Sequence, residues 1–244
     1  MIGGFADSPG AAAVIINPAG TGFVGRSSFD GAWLSQAASG NNVVITPGGT
    51  STVDGISFVD CEAYGAASGS GYAITQAAGT TVKNISIIGG RIAGNSAGIS
   101  INGLTSGMIS GVVIGSSGGF GVNGTGISLV GTVGRITINN NDLTGSTTKI
   151  TNAMTSSLSR IESNLGYNPA GNVVPAIGAS PWIYTASPQR ETVYVFGGTI
   201  SDISINGVRL FGMAGQPLVI PLEPNDTMVI TYSVVPFIVN VQRH

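Results

Sequence analysis

Two short apolar segments recur 29 residues apart, in lockstep, and this recurrence limits the possible folds more than any other feature of the chain. Val14-Ile15-Ile16-Asn17-Pro18-Ala19-Gly20 returns as Val43-Val44-Ile45-Thr46-Pro47-Gly48-Gly49, and again as Tyr72-Ala73-Ile74-Thr75. Between these copies run Val24–Phe29, Val53–Phe58 and Val82–Ile87, also 29 apart. Repetition of two independent segments at one period is the mark of a solenoid. The period then drifts while three apolar columns continue. The first reads Ile16, Ile45, Ile74, Ile101, Leu129. The second reads Phe29, Phe58, Ile87, Ile114, Ile138, and the third Val24, Val53, Val82, Ile109, Val133. Such columns are expected where inward side chains stack coil on coil. Within a coil the alternation has period two, as in Ile56-Ser57-Phe58, so the units are strands and not helices. The expected fold is all-β: a single-stranded parallel β-helix of about six coils.

Glycine numbers 39 residues and charged residues make up only 8% of the chain, against roughly 25% in average proteins. The corners of a β-helix explain the glycine. Low charge implies that part of the outer surface is covered, most simply by other subunits. A net charge of -2 gives no reason to expect nucleic-acid binding. No apolar run reaches the ~18 residues of a membrane span. The start, Met1-Ile2-Gly3-Gly4-Phe5, lacks the basic and apolar regions of a signal peptide. Cys61 is alone and is read as a small buried side chain.

The first ten residues look like a loose lead-in. One corner column reads Gly31, Asp60, Gly89, Ser116, Asn140; Asp and Asn tolerate the left-handed backbone there, which gives Asp60 a structural task. Leu158-Ser159-Arg160-Ile161 repeats Val133-Gly134-Arg135-Ile136 at an offset of 25, and then the pattern stops. The expected organisation is a β-helix over 1–165, a turn-rich linker over 166–172, and a small antiparallel β-sandwich over 173–244 that caps the coil stack and adds intersubunit contacts. About seven short strands are expected there, with Asn206-Gly207 as a hairpin turn. Trp182 and Tyr184 are expected to be packed and not ligand-binding.

At Ile161…Asn164-Leu165-Gly166-Tyr167-Asn168-Pro169 the chain resembles tail-spike and tail-fibre proteins of tailed bacteriophages. The resemblance continues through Ser180-Pro181-Trp182-Ile183-Tyr184, Glu191–Ile200, Ile205-Asn206-Gly207 and Leu222–Ser233. It implies a pectate-lyase-like right-handed β-helix with a small C-terminal β-domain, assembled as a homotrimer in the virion tail, outside the cell. The implied partners are other phage tail proteins and bacterial surface polysaccharide, which many relatives also cut. The larger enzymes of this kind have more coils and a recognisable virion-attachment domain.

Equivalent positions on successive coils lie about 4.8 Å apart, which turns columns into candidate sites. One outward column reads Trp33, Glu62, Arg91, Gly118, Asp142. Glu62 and Arg91 can pair, and Trp33 offers a flat apolar face beside them, a combination suited to sugar. The plain alternative is a surface ion pair beside a half-buried Trp; Asp54 and Lys83 read that way too. Glycoside hydrolysis needs two carboxyl groups about 5–9 Å apart. Glu62 is a weak catalytic candidate, because Asp142 lies three coils away, about 14 Å. A carboxylate from a neighbouring subunit remains an alternative. His244 is the only histidine and sits at the terminus, no acid cluster points to a metal, and no cofactor is expected. The function expected is host-glycan contact as a homotrimer, with a polysaccharide depolymerase as the alternative and a bacterial surface adhesin as a third reading. Ile15, Val44, Val59, Ile88 and Val113 lie between inward positions and are expected to face other subunits.

Overall fold

A computed structural model describes residues 5–8, 12–36, 39–115, 119–153, 158–167, 172–188, 190–211 and 217–242. The described residues form two compact units, one ending near Ser159 with Ser163–Tyr167 added, the other comprising Arg160–Glu162 and the residues from Asn168 onward. Neither contains a helix among the described residues.

The first unit is a parallel β-solenoid with three strand faces. The first face stacks Val14–Ile16, Val43–Ile45, Ser70–Thr75, Ala97–Ser110 (its first half), Asn123–Asn139 (likewise) and Ser146–Asn152, all parallel. Its inward column is the expected one, Ile16, Ile45, Ile74, Ile101, Leu129. The second face stacks Phe23–Asp30, Thr52–Val59, Ile85–Ile88 and the second halves of the two long strands. The third face consists of Phe5–Ser8, Trp33–Gln36, Glu62–Tyr64, Arg91–Ala93 and Val113–Ile114. Four coils carry strands on all three faces; beyond them the third face continues only as single bridges at Asp142 and Leu165. The six coils are therefore about four complete turns with partial rungs at the end. Phe5–Ser8 is not loose, but pairs with Trp33–Gln36 from Phe5↔Trp33 to Ser8↔Gln36.

Two of the expected columns are misregistered after the third coil. Ile109 stacks on Ile87 and under Ile138, so it belongs to the phenylalanine column, where Ile114 was expected. Ile114 stacks on Ile92 of the third face. Leu104, and not Ile109, pairs with Val133. The cause is a shortened corner: eight residues separate Ile101 from Ile109, where thirteen separate Ile74 from Ile87. A longer loop then compensates, with thirteen residues from Ile114 to Ile127 against seven from Ile92 to Ile99. The coil length hardly changes, so the slip is invisible in the first column. The last coil has an offset of 23, set by Asp142↔Leu165, and not 25.

The corner column holds the left-handed backbone in Gly31, Asp60, Gly89 and Asn140, with φ of 58°, 50°, 65° and 55°. Gly111, φ 69°, holds the fourth-coil place; Ser116 lies outside the described residues. Next to it, Gly90 has φ 74°, and a Cβ there would fall 2.0 Å from the Cys61 carbonyl oxygen. Cys61 itself is buried, 3% exposed, its thiol donating to the Phe29 and Val59 carbonyls, and burial raises its pKa.

Inside the corners run two asparagine ladders. Asn95 Nδ2 donates to Asn123 Oδ1 and to the Ala63 and Ala93 carbonyls, while Asn95 Oδ1 accepts from Ala66 N–H and from Asn42 Nδ2. Asn141 Nδ2 likewise donates to Asn164 Oδ1 at 2.8 Å, and Asn141 Oδ1 accepts from Val112 N–H. These amides satisfy backbone groups that the turn would otherwise bury unpaired.

The second unit is a small antiparallel sandwich of two four-stranded sheets. One sheet orders Asn172–Val173, Phe237–Gln242, Glu191–Phe196 and Leu218–Leu222; the other orders Trp182–Thr185, Thr227–Val234, Thr199–Ile205 and Val208–Phe211. That makes eight strands where about seven were expected. Val193, Val195, Ile203, Ile220, Met228, Ile230 and Ile238 form the core, with Trp182 packed among them at 7% exposure. Asn206 and Gly207, both at positive φ, close the hairpin in which Ile205 faces Val208.

Candidate functional site

The third face of the solenoid presents the column in which the sugar-binding candidates were placed. Trp33 pairs with Glu62 and Glu62 with Arg91, one rung apart. The next members are Val113 and Asp142; Gly118, expected in that place, lies outside the described residues, and Val113 fills it. Parallel strands hold these side chains on one side at about 4.8 Å intervals. Arg91 is exposed, and Glu62 and Trp33 are half-buried.

The register brings Glu62 and Arg91 side by side but leaves them unbridged. The ion pair within 4.0 Å among the described residues of this unit is Lys83–Asp54, at 3.3 Å. Asn84 Nδ2 also donates to Asp54 Oδ1 at 2.7 Å, and that bond, followed by Lys83, holds the Asp54 carboxyl below its ordinary pKa. This second stacked pair is thus a local brace at the corner. Asp142 stands three rungs from Glu62, and its Oδ1 accepts from the backbone N–H and hydroxyl of Thr144. It is engaged in its own turn.

Trp33 does not stand alone. Its indole meets the Tyr64 ring edge-on at 4.9 Å, and Tyr64 stacks flat on Phe120 at 4.6 Å with planes 4° apart. Trp33 and Phe120 lie 6.2 Å apart. Tyr64 comes from the strand of Glu62, facing Ser35 across the ladder. Phe120 comes from the long loop after Ile114 and lies back over the face. Tyr64 is buried to 3% exposure beneath its neighbours. Next to the cluster an open cleft of about 540 Å³ is lined by Ala67, Gly94, Asn95, Ser96, Gly121, Val122 and Gly124. Gly94 N–H donates to the Gly121 carbonyl at 2.8 Å, which ties the loop to the coil. The Asn95 amide in the cleft wall is committed to the ladder. An aromatic surface beside backbone and hydroxyl groups can hold the C–H face of a sugar and its hydroxyls. Tyr64 follows Trp33 at a spacing the repeat could have shown; Phe120 depends on a loop excursion and left no signal in the pattern.

The second unit holds a buried polar cluster that sequence reading missed. Glu191, 1% exposed, accepts from Tyr184 Oη–H at 2.6 Å, from Asn240 Nδ2 at 2.7 Å and from Ser187 N–H at 2.9 Å. Asn240 Nδ2 also donates to the Tyr184 oxygen. Burial first, and then the bond to Glu191, push the Tyr184 phenol well above its ordinary value of 10.0. An unfolded tyrosine loses its proton near pH 10, so above that pH the folded state binds more protons than the unfolded one. This contribution to stability is complete below about pH 10 and is lost as pH rises towards the folded value. Thermal melts between pH 8 and 11.5 are expected to show a steeper alkaline fall in Tm for the wild type than for Tyr184→Phe. Parallel curves would separate Tyr184 from the alkaline loss.

Among the described residues no group of three or more His, Cys, Asp or Glu side chains is placed to hold a metal, and no helix is long and apolar enough to cross a membrane. No family model matches the chain, and no curated protein matches it.

Proposed function

We propose that the chain is a homotrimeric appendage of the bacteriophage tail-spike or tail-fibre kind, which contacts a bacterial surface polysaccharide and performs no chemistry itself. The observation that carries this reading is the third-face column: Trp33, Glu62 and Arg91 stand one rung apart on a straight ladder, with the Trp33–Tyr64–Phe120 cluster and the open cleft beside them. A linear, rigid run of aromatic, acidic and basic groups matches a linear, repeating polymer. The partners in this reading are two further copies of the chain, other tail proteins and the host glycan, and the place is the virion. Outward apolar side chains lend support to the trimer: Ile15 is 59% and Val113 39% exposed, while Val44, Val59 and Ile88 are half-buried in the single chain.

Sedimentation equilibrium is expected to give about three times the chain mass of 24.4 kDa. Binding to a panel of host capsule and O-antigen preparations is expected, and Trp33→Ala weakens it about tenfold or more, as the loss of a sugar-stacking face should. A monomeric particle, or no binding to any host polysaccharide, would overturn the reading. Shortened polysaccharide chains after incubation would instead establish a depolymerase, with Glu62→Gln as the variant to compare.

A further inference from the structure

Along the corner where the first face of the solenoid turns into the second, charge is mostly of one sign. Segments 20–27, 48–56, 77–85, 103–107 and 131–136 carry Arg26, Lys83 and Arg135 against a single acid, Asp54. Asp30 and Asp60 belong to the next corner, and Glu62 and Asp142 to the third face. Register puts Arg26, Gly55, Asn84, Ser106 and Arg135 in one column on successive rungs. The middle of that column is engaged with itself. Asn84 Nδ2 donates to Asp54 Oδ1, Asn84 Oδ1 accepts from the Ser106 hydroxyl at 2.9 Å, and Lys83 bridges to Asp54 at 3.3 Å. Its two ends are not. Arg26 and Arg135 are exposed, and neither guanidinium has an ion pair or hydrogen bond among the described residues. At about 4.8 Å per rung they stand roughly 19 Å apart.

Arg26 is also unusual in its backbone. Its φ is 54°, in the left-handed region, where the next two coils place Gly55 and Asn84 at 74° and 55°. Glycine and asparagine adopt that conformation readily, whereas arginine is strained in it. Strain retained at such a position points to a task for the side chain. Beside it lies Phe23, on the same outward side of the strand and 64% exposed. Its ring crosses Gly25, where a Cβ would fall 2.6 Å from Phe23 Cζ and 2.7 Å from the Asp54 carbonyl oxygen. The missing side chain at Gly25 lets the ring rest on the strand and remain open to water. An open aromatic face takes the C–H surface of a sugar, and a free guanidinium fork takes a carboxylate. A neutral sugar would leave the cation unused, and a simple anion would leave the ring unused. A small ligand reaches only one of the two arginines; a linear polymer lying along the corner reaches both.

We propose that Phe23 and Arg26 form a subsite for an acidic sugar, with Arg135 a second contact for the same linear acidic polysaccharide. The subsite lies off the Trp33 column, goes beyond the third-face reading and does not depend on it. Titration of the full chain with polygalacturonate, hyaluronan, neutral dextran and inorganic polyphosphate tests it. Binding to a uronate polymer and not to dextran is expected, and it should be lost as NaCl rises from about 0.05 to 0.5 M. Phe23→Ala and Arg26→Gly should each weaken it at least about tenfold, and Arg135→Gln about two- to fivefold. Arg26→Gly also relieves the backbone, so its Tm should not fall. Trp33→Ala should leave this binding unchanged. No binding to either uronate polymer would overturn the proposal. So would wild-type affinity in Phe23→Ala, or equal affinity for polyphosphate, since both mean attraction by charge alone. A loss caused by Trp33→Ala and not by Phe23→Ala or Arg26→Gly would move the acidic polymer to the third face, overturning this subsite and leaving the third-face reading in place.

Discussion

Asn95→Ala is expected to lower the stability of the solenoid by about 3–5 kcal/mol, read as a fall in the midpoint of urea unfolding at unchanged slope. Asn95 is 2% exposed and lies at the centre of its ladder. Its loss strands the Ala66 N–H, which has Asn95 Oδ1 as acceptor, and removes the donor to Ala63 and Ala93 carbonyls. The stranded Ala66 N–H costs about 1–3 kcal/mol, and the lost bonds to Ala63, Ala93 and Asn123, about 0.5–1.5 kcal/mol each, bring the total into that range. Leucine would fare no better, since it fills the volume but bonds to nothing. Asn42 provides the internal control. It is equally buried, but its Nδ2 donates to Tyr64 O and Asn95 Oδ1 while its own Oδ1 accepts nothing. Asn42→Ala should therefore cost visibly less than Asn95→Ala. Equal costs would mean that the ladder contributes only as volume.

The asparagine ladders were open to view in the sequence and yet not legible. Asn95 and Asn123 are 28 apart, and Asn141 and Asn164 are 23 apart. Each sits beside turn-forming residues (Gly and Ser at Asn95, Asn123 and Asn164, Asn and Asp at Asn141), where a polar residue reads as an exposed turn. Nothing in composition tells a buried amide that braces a corner from a solvated one. The apolar columns, by contrast, were legible wherever both the spacing and the side-chain class persisted, as in Ile16, Ile45, Ile74, Ile101 and Leu129. The second column failed at Ile109 because two opposite changes of loop length fell within one coil and left its total length intact. The third face was the hardest to see. Its strands are two to four residues long, too short for alternation to declare itself, and this is why Phe5–Ser8 looked like a lead-in.

The candidate site divides in the same way. Trp33, Glu62 and Arg91 occupy the column that their 29-residue spacing assigned, because no corner changes length between those coils. Val113 took the place expected for Gly118 because the next corner does. Adjacency along a ladder does not guarantee an ion pair: Lys83 reaches Asp54 at 3.3 Å, whereas Arg91 and Glu62 have the same relation in register without bridging. Rotamer and local competition decide that, and a column of letters contains neither. The hairpin at Asn206-Gly207 was legible for the opposite reason, since both residues are chosen by the backbone itself, with φ of 51° and 79°.

Phe58→Ala is expected to cost about 3–5 kcal/mol, the range for truncating a fully buried aromatic ring. Phe58 is 0% exposed. Its ring stacks on Phe29 at 4.9 Å, with planes 8° apart, and meets Tyr72 edge-on at 5.1 Å. The cavity would open in the middle of the column, between Phe29 and Ile87, where strands above and below are hydrogen-bonded in register and cannot close over it. Phe29 occupies the first rung and is only half-buried. Phe29→Ala should therefore cost less, about 1–2 kcal/mol in transfer of the part that is buried. Because the rings touch, the two effects should not add: the double variant is expected to lose about 0.5–1.5 kcal/mol less than the sum, the usual worth of an aromatic pair. Urea unfolding of the two single variants and the double one measures all three terms. Strict additivity would be incompatible with ring-on-ring stacking between successive coils. Stacking of this kind fixes successive coils in register, and the same register sets Trp33, Glu62 and Arg91 one rung apart on the third face.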